Sequence, residues 1–252
     1  MNTNELMYTG KAKRVYSTDD PTQLIVEYTD AATAFNGKKH GTIGDKGVLN
    51  NEISARMMQM LADNGVRNHF IERLDDRRQL VTAVKIVLVE VVVRNVVAGT
   101  LATRTGLDEG TVLAHPVVEF SYKDDALGDP LLNRNHISIL GLATPDMLDQ
   151  MTASALKVNT LVSEYMAGVG ILLVDFKLEF GVTADGDLIL ADEISPDTCR
   201  FWDKATGRKL DKDRFRRDLG GVEEAYAELL RRLPLPVRSI DTAHTAGAGG
   251  PA

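Results

Sequence analysis

In the run Leu173-Val174-Asp175-Phe176-Lys177-Leu178-Glu179-Phe180 a charged residue falls at every second position. On a strand, alternate side chains leave opposite faces. Asp175, Lys177 and Glu179 therefore share one face, and Val174, Phe176, Leu178 and Phe180 cover the other. Ala184-Asp185-Gly186-Asp187 follows, and Asp-Gly between apolar runs signals a hairpin whose returning strand is 188–194. With Asp185 and Gly186 as the two turn residues, Glu179 stands directly opposite Asp192. Facing carboxylates repel unless a cation lies between them. Magnesium suits such a place, since it takes one or two carboxylates and fills its other positions with water and substrate phosphates. A solvated hairpin surface is the competing reading of the same acids. Asp175 and Lys177 on the same face favour chemistry, because a cation, an amine and a carboxylate on one rigid sheet are the parts phosphoryl transfer uses.

Two further segments carry anion-binding residue types. Gly10-Lys11-Ala12-Lys13-Arg14-Val15-Tyr16 sets Lys11 and Lys13 on one face of an expected strand, behind a glycine. Lysine binds phosphate as a point charge, and glycine lets backbone amides approach a phosphate closely. The spacing of a P-loop is absent, and a solvated edge strand explains the same residues. Arg94-Asn95-Val96-Val97-Ala98-Gly99-Thr100 ends an apolar strand with an arginine and opens a helix with a threonine. An anion there would meet free N–H groups, a hydroxyl and a guanidinium. Equally, Thr100 serves as a plain helix cap and Arg94 pairs with a core acid such as Glu90.

Glu193-Ile194-Ser195-Pro196-Asp197-Thr198-Cys199-Arg200 follows the acidic strand and is expected to loop over the same site, where Arg200 would clamp a second anion. Cys199 reads as a small packing residue, with nothing nearby to lower its pKa. His40, His69, His115, His136 and His244 have no metal-site spacing, and Arg214, Arg216 and Arg217 read as a solvated helix face.

The elements that must position these groups are legible in outline. Strands are expected at Lys11–Tyr16, Leu24–Tyr28, Leu80–Val84 and Ile86–Val93. Helices are expected at 48–63 (Ile53, Met57 and Leu61 inward, stopped by Asn64-Gly65), at Thr100–Thr105, from Thr144-Pro145 to Gly168, and over Gly221–Leu233. Leu148, Met151, Ala155, Val162 and Met166 are the core candidates of the long helix. The Asp-, Gly- and Pro-rich stretch Lys123–Pro130 reads as a loop. Sheet segments and helices in this order predict an α+β fold of two lobes with antiparallel sheets and a cleft between them. The division falls near residues 83–88: a smaller β-rich lobe over 1–84, a larger α+β lobe over 85–236, and a disordered tail over 237–252.

Composition narrows the function classes. The 252 residues suffice for a sizeable core. A net charge of −7 and a pI near 5.3 argue against general binding of nucleic acid or anionic membrane, so basic residues must be concentrated locally in the cleft. The most apolar segment, Ile86–Val97, is interrupted by Glu90 and Arg94 and is too short to span a bilayer. Met1–Glu5 lacks the basic and apolar parts of a signal peptide. One cysteine excludes an internal disulfide and offers no zinc cluster. A cytoplasmic protein fits these features best.

Taken together and in this order, the segments Gly10–Tyr16, Ala34-Phe35-Asn36-Gly37, Lys46-Gly47 with Asn50, Val91–Leu101, Lys123–Pro130, Asp175–Gly181, Asp192–Asp203 and Asp211–Arg216 resemble the SAICAR synthetase family. The resemblance covers residues 6–233, and Asp-Phe-Lys-Leu-Glu-Phe-Gly followed by Asp-Glu-Ile-Ser-Pro-Asp is its most specific part. It implies an ATP-binding cleft and a ligase that joins L-aspartate to the carboxylate of carboxyaminoimidazole ribonucleotide (CAIR), releasing ADP and phosphate. It further implies that Gly10, Lys11, Lys13 and Val15 border ATP, that Glu179 and Asp192 hold Mg2+, and that Arg94, Thr100 and Arg200 grip the ribonucleotide phosphate. Lys177 and Asp175, with Lys13, would border the reacting groups, and Asp129 would belong to a loop closing over substrate. Partners would be these small molecules, without nucleic acid or membrane, and a homo-oligomer is compatible. The rival readings are a small-molecule kinase using the same cleft and an ATP-sensing module without chemistry.

Overall fold

The computed structural model describes residues 5–34 and 37–234. The tail expected over 237–252, and Phe35 and Asn36 of the family-like segment, lie outside them. The chain opens with β1 (Leu6–Thr9), β2 (Lys13–Ser17) and β3 (Gln23–Tyr28), then a small hairpin of β4 (Ala31–Ala34) and β5 (Lys39–Thr42). Helix α1 (Lys46–Asp63) leads to β6 (Phe70–Arg73) and β7 (Arg78–Thr82). Apart from the separate hairpin of β4 and β5, these strands form an antiparallel sheet in the order β1-β2-β3-β7-β6. After Thr82 the chain leaves that sheet.

A second sheet follows, built from β8 (Lys85–Ile86), β9 (Val89–Val96), β10 (Val112–Tyr122), β11 (Leu131–Leu132), β12 (Ile171–Val182), β13 (Leu188–Ala191) and β14 (Cys199–Asp203). Between and after these strands come α2 (Thr100–Thr105), α3 (Arg134–Leu140), α4 (Pro145–Gly168), α5 (Asp213–Arg216) and α6 (Val222–Arg232). Every pairing between named strands is antiparallel, so the architecture is the expected α+β one. No helix among the described residues is long and apolar enough to cross a membrane.

Strand β12 is the spine. It pairs with β9 over 175–178, with β8 over 181–182, with β14 over 171–176 and with β13 over 179–182. Its apolar face explains why it is fixed so firmly. Phe176, Leu178 and Phe180 are buried with the α4 residues Leu148, Met151, Ala155, Val162 and Met166 and with Ile53, Met57 and Leu61 of α1 in one core. Each such side chain contributes on the order of 1.5–3 kcal/mol by leaving water. Helix α4 starts as its sequence predicts, with the Thr144 hydroxyl accepting from the Met147 amide and Pro145 in the first turn.

Two local expectations need correction. The connection from β12 to β13 is a three-residue loop, not a two-residue turn. Thr183 and Asp187 close it, with the Thr183 amide donating to the Asp187 carbonyl at 2.9 Å, and Gly186 takes φ 89°. Glu179 therefore faces Ala191, not Asp192. The other correction concerns the first hairpin: Lys11 lies in its turn and not on the face of β2 beside Lys13. The Gly10 amide donates to the Lys13 carbonyl at 2.8 Å, which closes that turn.

Candidate active site

The charged face of β12 holds a line of ion pairs with a basic group at each end. Asp175 and Glu179 are four positions apart, about 13 Å at the rise of a strand. At the Asp175 end, β9 places Arg94 directly across the ladder. Its Nη1 donates to Asp175 Oδ2 at 2.7 Å, its Nε to Glu119 Oε2 at 2.8 Å and its Nη2 to the Thr100 hydroxyl at 3.2 Å. From β14, Arg200 reaches Asp175 Oδ1 and Oδ2 at 3.0 and 2.8 Å and Asp213 at 2.9 Å. Arg94, Thr100 and Arg200 are thus brought together, as the resemblance implies, and Asp175, which it sets with Lys177 beside the reacting groups, accepts from both guanidinium groups. The partner of Arg94 differs from the core acid considered for it. Glu90 takes Lys177 instead, at 2.6 Å, because Asp175 faces Arg94 across the strands. Thr100 is the first helical residue, and Gly99 occupies the cap position.

Gly99 shows how tightly this end is built. Its φ of 53° and ψ of −129° suit only glycine, and a Cβ would lie 2.5 Å from Arg200 Nη2. Asp213 then anchors three guanidinium groups, those of Arg200, Arg216 and Arg217. The arginines read as a solvated face are therefore partly committed to a buried acid. Together with Arg217's bond to Glu109, that acid sets their direction.

At the other end three lysines and three acids form one cluster. Lys177 Nζ lies 3.0 Å from Glu179 Oε1, and Lys123 donates to the same oxygen at 2.8 Å. Lys13 from the first sheet donates to Asp192 and lies 3.3 Å from Glu193. Burial works against the charges of Lys13 and Lys177. Asp192 and Glu193 around the first, and Glu179, Glu90 and Asp192 around the second, outweigh it and raise both pKa values. Burial likewise opposes ionisation of Asp192, yet Lys13 and Lys177 hold it at about 2.

Asp192 reaches this cluster by an unusual backbone. β13 ends at Ala191, and Asp192 takes φ 61°, a left-handed conformation that costs about 1–3 kcal/mol outside glycine. His69 supports it. Burial pulls the imidazole down to about 4, so it is neutral at physiological pH and its Nε2 donates to the Asp192 carbonyl at 2.9 Å. Although the register is shifted, Lys177 and Lys123 each lie in the field of both Glu179 and Asp192.

Three named residues stand apart. Lys11 pairs with Asp125 at 2.6 Å on the surface, Asp129 accepts from the Asp124 amide within its own loop, and Val15 lies half-buried on the same face of β2 as Lys13. Sequence reasoning missed Lys123, Glu90 as a partner of Lys177, Glu193, His69 and Asp213. Glu90 was legible, since it shares a strand face with Arg94. His69 and Lys123 carry no local signal. Cys199 is buried and its thiol is pushed up by that burial, in keeping with a packing role.

The fold is an α+β one whose two larger sheets are antiparallel, and charged side chains of both meet beside β12. The SAICAR synthetase family model matches residues 6–233. A phosphoribosylaminoimidazole-succinocarboxamide synthase of Brevibacillus brevis is 58% identical over 233 residues, covering 92% of this chain and 98% of its own. Its counterpart in Coprothermobacter proteolyticus is 56% identical over 229 residues, covering 91% and 97%. The crystal structure of the synthase from Ehrlichia chaffeensis superposes with a TM-score of 0.89 at 46% identity, covering 91% of this chain and 98% of that one. A SAICAR synthetase solved in complex with ADP gives 0.88 at 48% identity, over 91% and 97%. The chain belongs to the SAICAR synthetase family.

Proposed function

We infer that this chain is an ATP-dependent carbon–nitrogen ligase that joins L-aspartate to the carboxylate of CAIR, giving SAICAR, ADP and phosphate in purine biosynthesis. Family membership over residues 6–233 supports this reading. The observation that carries it is the two-ended basic site on one strand: guanidinium groups at Asp175 and ammonium groups at Glu179 and Asp192. A substrate set with two phosphate-bearing members needs both ends.

Arg94, Thr100 and Arg200 are assigned to the ribonucleotide phosphate. Asp175 aims both guanidinium groups, so the phosphate meets an oriented fork. Lys13 and Lys11, with Gly10 and Val15 beside them, are assigned to ATP, and binding requires its phosphates to replace the carboxylates that Lys13 and Lys11 hold. The two sheets meet where the chain passes from β7 to β8, and residues 1–84 and 85–236 are proposed as the two lobes around the nucleotide. Asp129 belongs to the loop proposed to close over the ribonucleotide, and Asp125 of that loop already ties Lys11 to it.

Magnesium is assigned to Glu179 and Asp192. Among the described residues no cluster of three or more His, Cys, Asp or Glu forms a metal cage. Two carboxylates that share lysine counter-ions fit an ion completing its shell with water and phosphate. When bound, such an ion neutralises charge on the transferring phosphoryl group. Carboxylate is a poor acyl donor because it would have to expel oxide. Transfer of the γ-phosphoryl group makes an acyl phosphate with phosphate as leaving group, the aspartate amine attacks its carbon, and the carboxylate oxygen departs on phosphate. Lys177, fixed by Glu90 and Glu179, stands between the two ends and supplies positive charge where it develops. A cytoplasmic location accompanies this reading.

The test is stoichiometric. ADP, phosphate and amide should form in equal amounts and only when ATP, CAIR and L-aspartate are all present. A stable phosphorylated product without L-aspartate would establish the kinase, and ATP binding without turnover would establish the sensor.

A further inference from the structure

Six buried or half-buried cations around the site, Lys13, Lys46, Lys123, Lys177, Arg94 and Arg200, each donate a hydrogen bond to a carboxylate. Lys212 does not. Its side chain is only 12% exposed, and its nearest acid is Asp197, with Oδ2 at 3.5 Å from Nζ. That oxygen already accepts Lys46 Nζ at 2.8 Å, and the Tyr226 hydroxyl donates to the other at 2.8 Å. Tyr226 is neutral, since burial and Asp197 push its pKa up. Two ammonium groups therefore share one carboxylate; buried Glu193 also lies in the field of Lys212, yet no acid among the described residues accepts a hydrogen bond from its ammonium. Burial, with Arg216 and Lys46, outweighs the pull of Asp197 and Glu193 and lowers the pKa of Lys212. A buried ammonium without a hydrogen-bonded acid of its own is costly, and a substrate anion is the natural complement.

The position of Lys212 selects which anion. Its amide donates to the Pro196 carbonyl at 3.0 Å, tying it to the loop that follows Asp192 and Glu193. Its chain neighbour Asp213 holds Arg200. Lys212 thus stands between the lysine end and the arginine end, each of which has its own cations for phosphate. The third substrate must lie there, because its amine has to reach the activated carboxylate. That substrate carries two carboxylates.

We infer that the Lys212 ammonium receives a carboxylate of the incoming L-aspartate, with Asp197, Lys46 and Tyr226 positioning it. The inference rests on the ligase reading above. It is tested by steady-state kinetics of Lys212→Met with each substrate varied in turn. Loss of one charge-assisted hydrogen bond should raise KM for L-aspartate about 10- to 100-fold, with KM for ATP and for CAIR unchanged. Lys212→Arg, which keeps the charge, should recover most of the loss. An unchanged KM for L-aspartate overturns the inference, and so does a rise confined to CAIR. Lys212→Gln, which keeps a donor beside Asp197, serves the same comparison should Lys212→Met fail to fold. Failure of the ligase reading itself would show first in the unmodified protein, as ADP formed without L-aspartate.

Discussion

Replacing Arg200 by methionine separates binding from folding at the arginine end. The guanidinium is 17% exposed and bonded to Asp175 and Asp213. Removing one partner of a buried pair commonly costs about 3–5 kcal/mol, because a charge is left alone. Here neither acid is left alone: Asp175 keeps Arg94 at 2.7 Å, and Asp213 keeps Arg216 at 2.7 Å. The stability loss should therefore be nearer the value of lost charge-assisted hydrogen bonds, about 1.5–3 kcal/mol. Substrate has no such reserve, since one of the two arginines proposed to bind its phosphate is gone. KM for CAIR should rise about 10- to 100-fold while KM for ATP stays near its original value. ADP release at varied CAIR, alongside thermal unfolding, measures both effects. An unchanged KM for CAIR, or equal rises for CAIR and ATP, would refute the assignment of this end.

Other outcomes follow from the same geometry. Gly99→Ala should act like a milder Arg200 variant, raising KM for CAIR, because its Cβ would lie 2.5 Å from Arg200 Nη2; wild-type KM would show that the arginine need not stay in place. Glu179→Gln and Asp192→Asn should each lower magnesium-dependent turnover by orders of magnitude and raise the magnesium needed for half-maximal rate; near-normal rates in both would remove the metal assignment. Lys11→Ala should change stability by under about 1 kcal/mol, its pair with Asp125 being exposed on both sides, yet raise KM for ATP. His69, held at about 4, binds its proton more readily in the unfolded chain. Its contribution is complete above about pH 6.5 and is lost as pH falls toward about 4, at most about 3 kcal/mol. His69→Gln should flatten that part of the curve in chemical denaturation.

The alternating charges of β12 were legible because period-two patterning survives any tertiary context, and the cap signals of α4 and the span of α2 were equally plain. The register of β12 with β13 was not. Asp-Gly suits a two-residue turn, whereas the Thr183–Asp187 closure makes the loop one residue longer and moves every facing pair. Asp192 still reaches the site only through its left-handed backbone, which nothing in the local sequence announces. β10 escaped notice because much of it is exposed and it contains Pro116. β14 escaped because five residues become a strand only by pairing with β12. Lys123 and His69 enter from distant segments, so their roles emerge from the fold and not from spacing.

Beside the charged face of β12, the reacting carboxylate is proposed to be phosphorylated by ATP before the amine attacks. CAIR carrying heavy oxygen in its reacting carboxylate tests this directly, with mass analysis of the phosphate released during SAICAR formation. Transfer of one labelled oxygen to each phosphate is the predicted result. Phosphate free of label, formed in step with the amide, would contradict it.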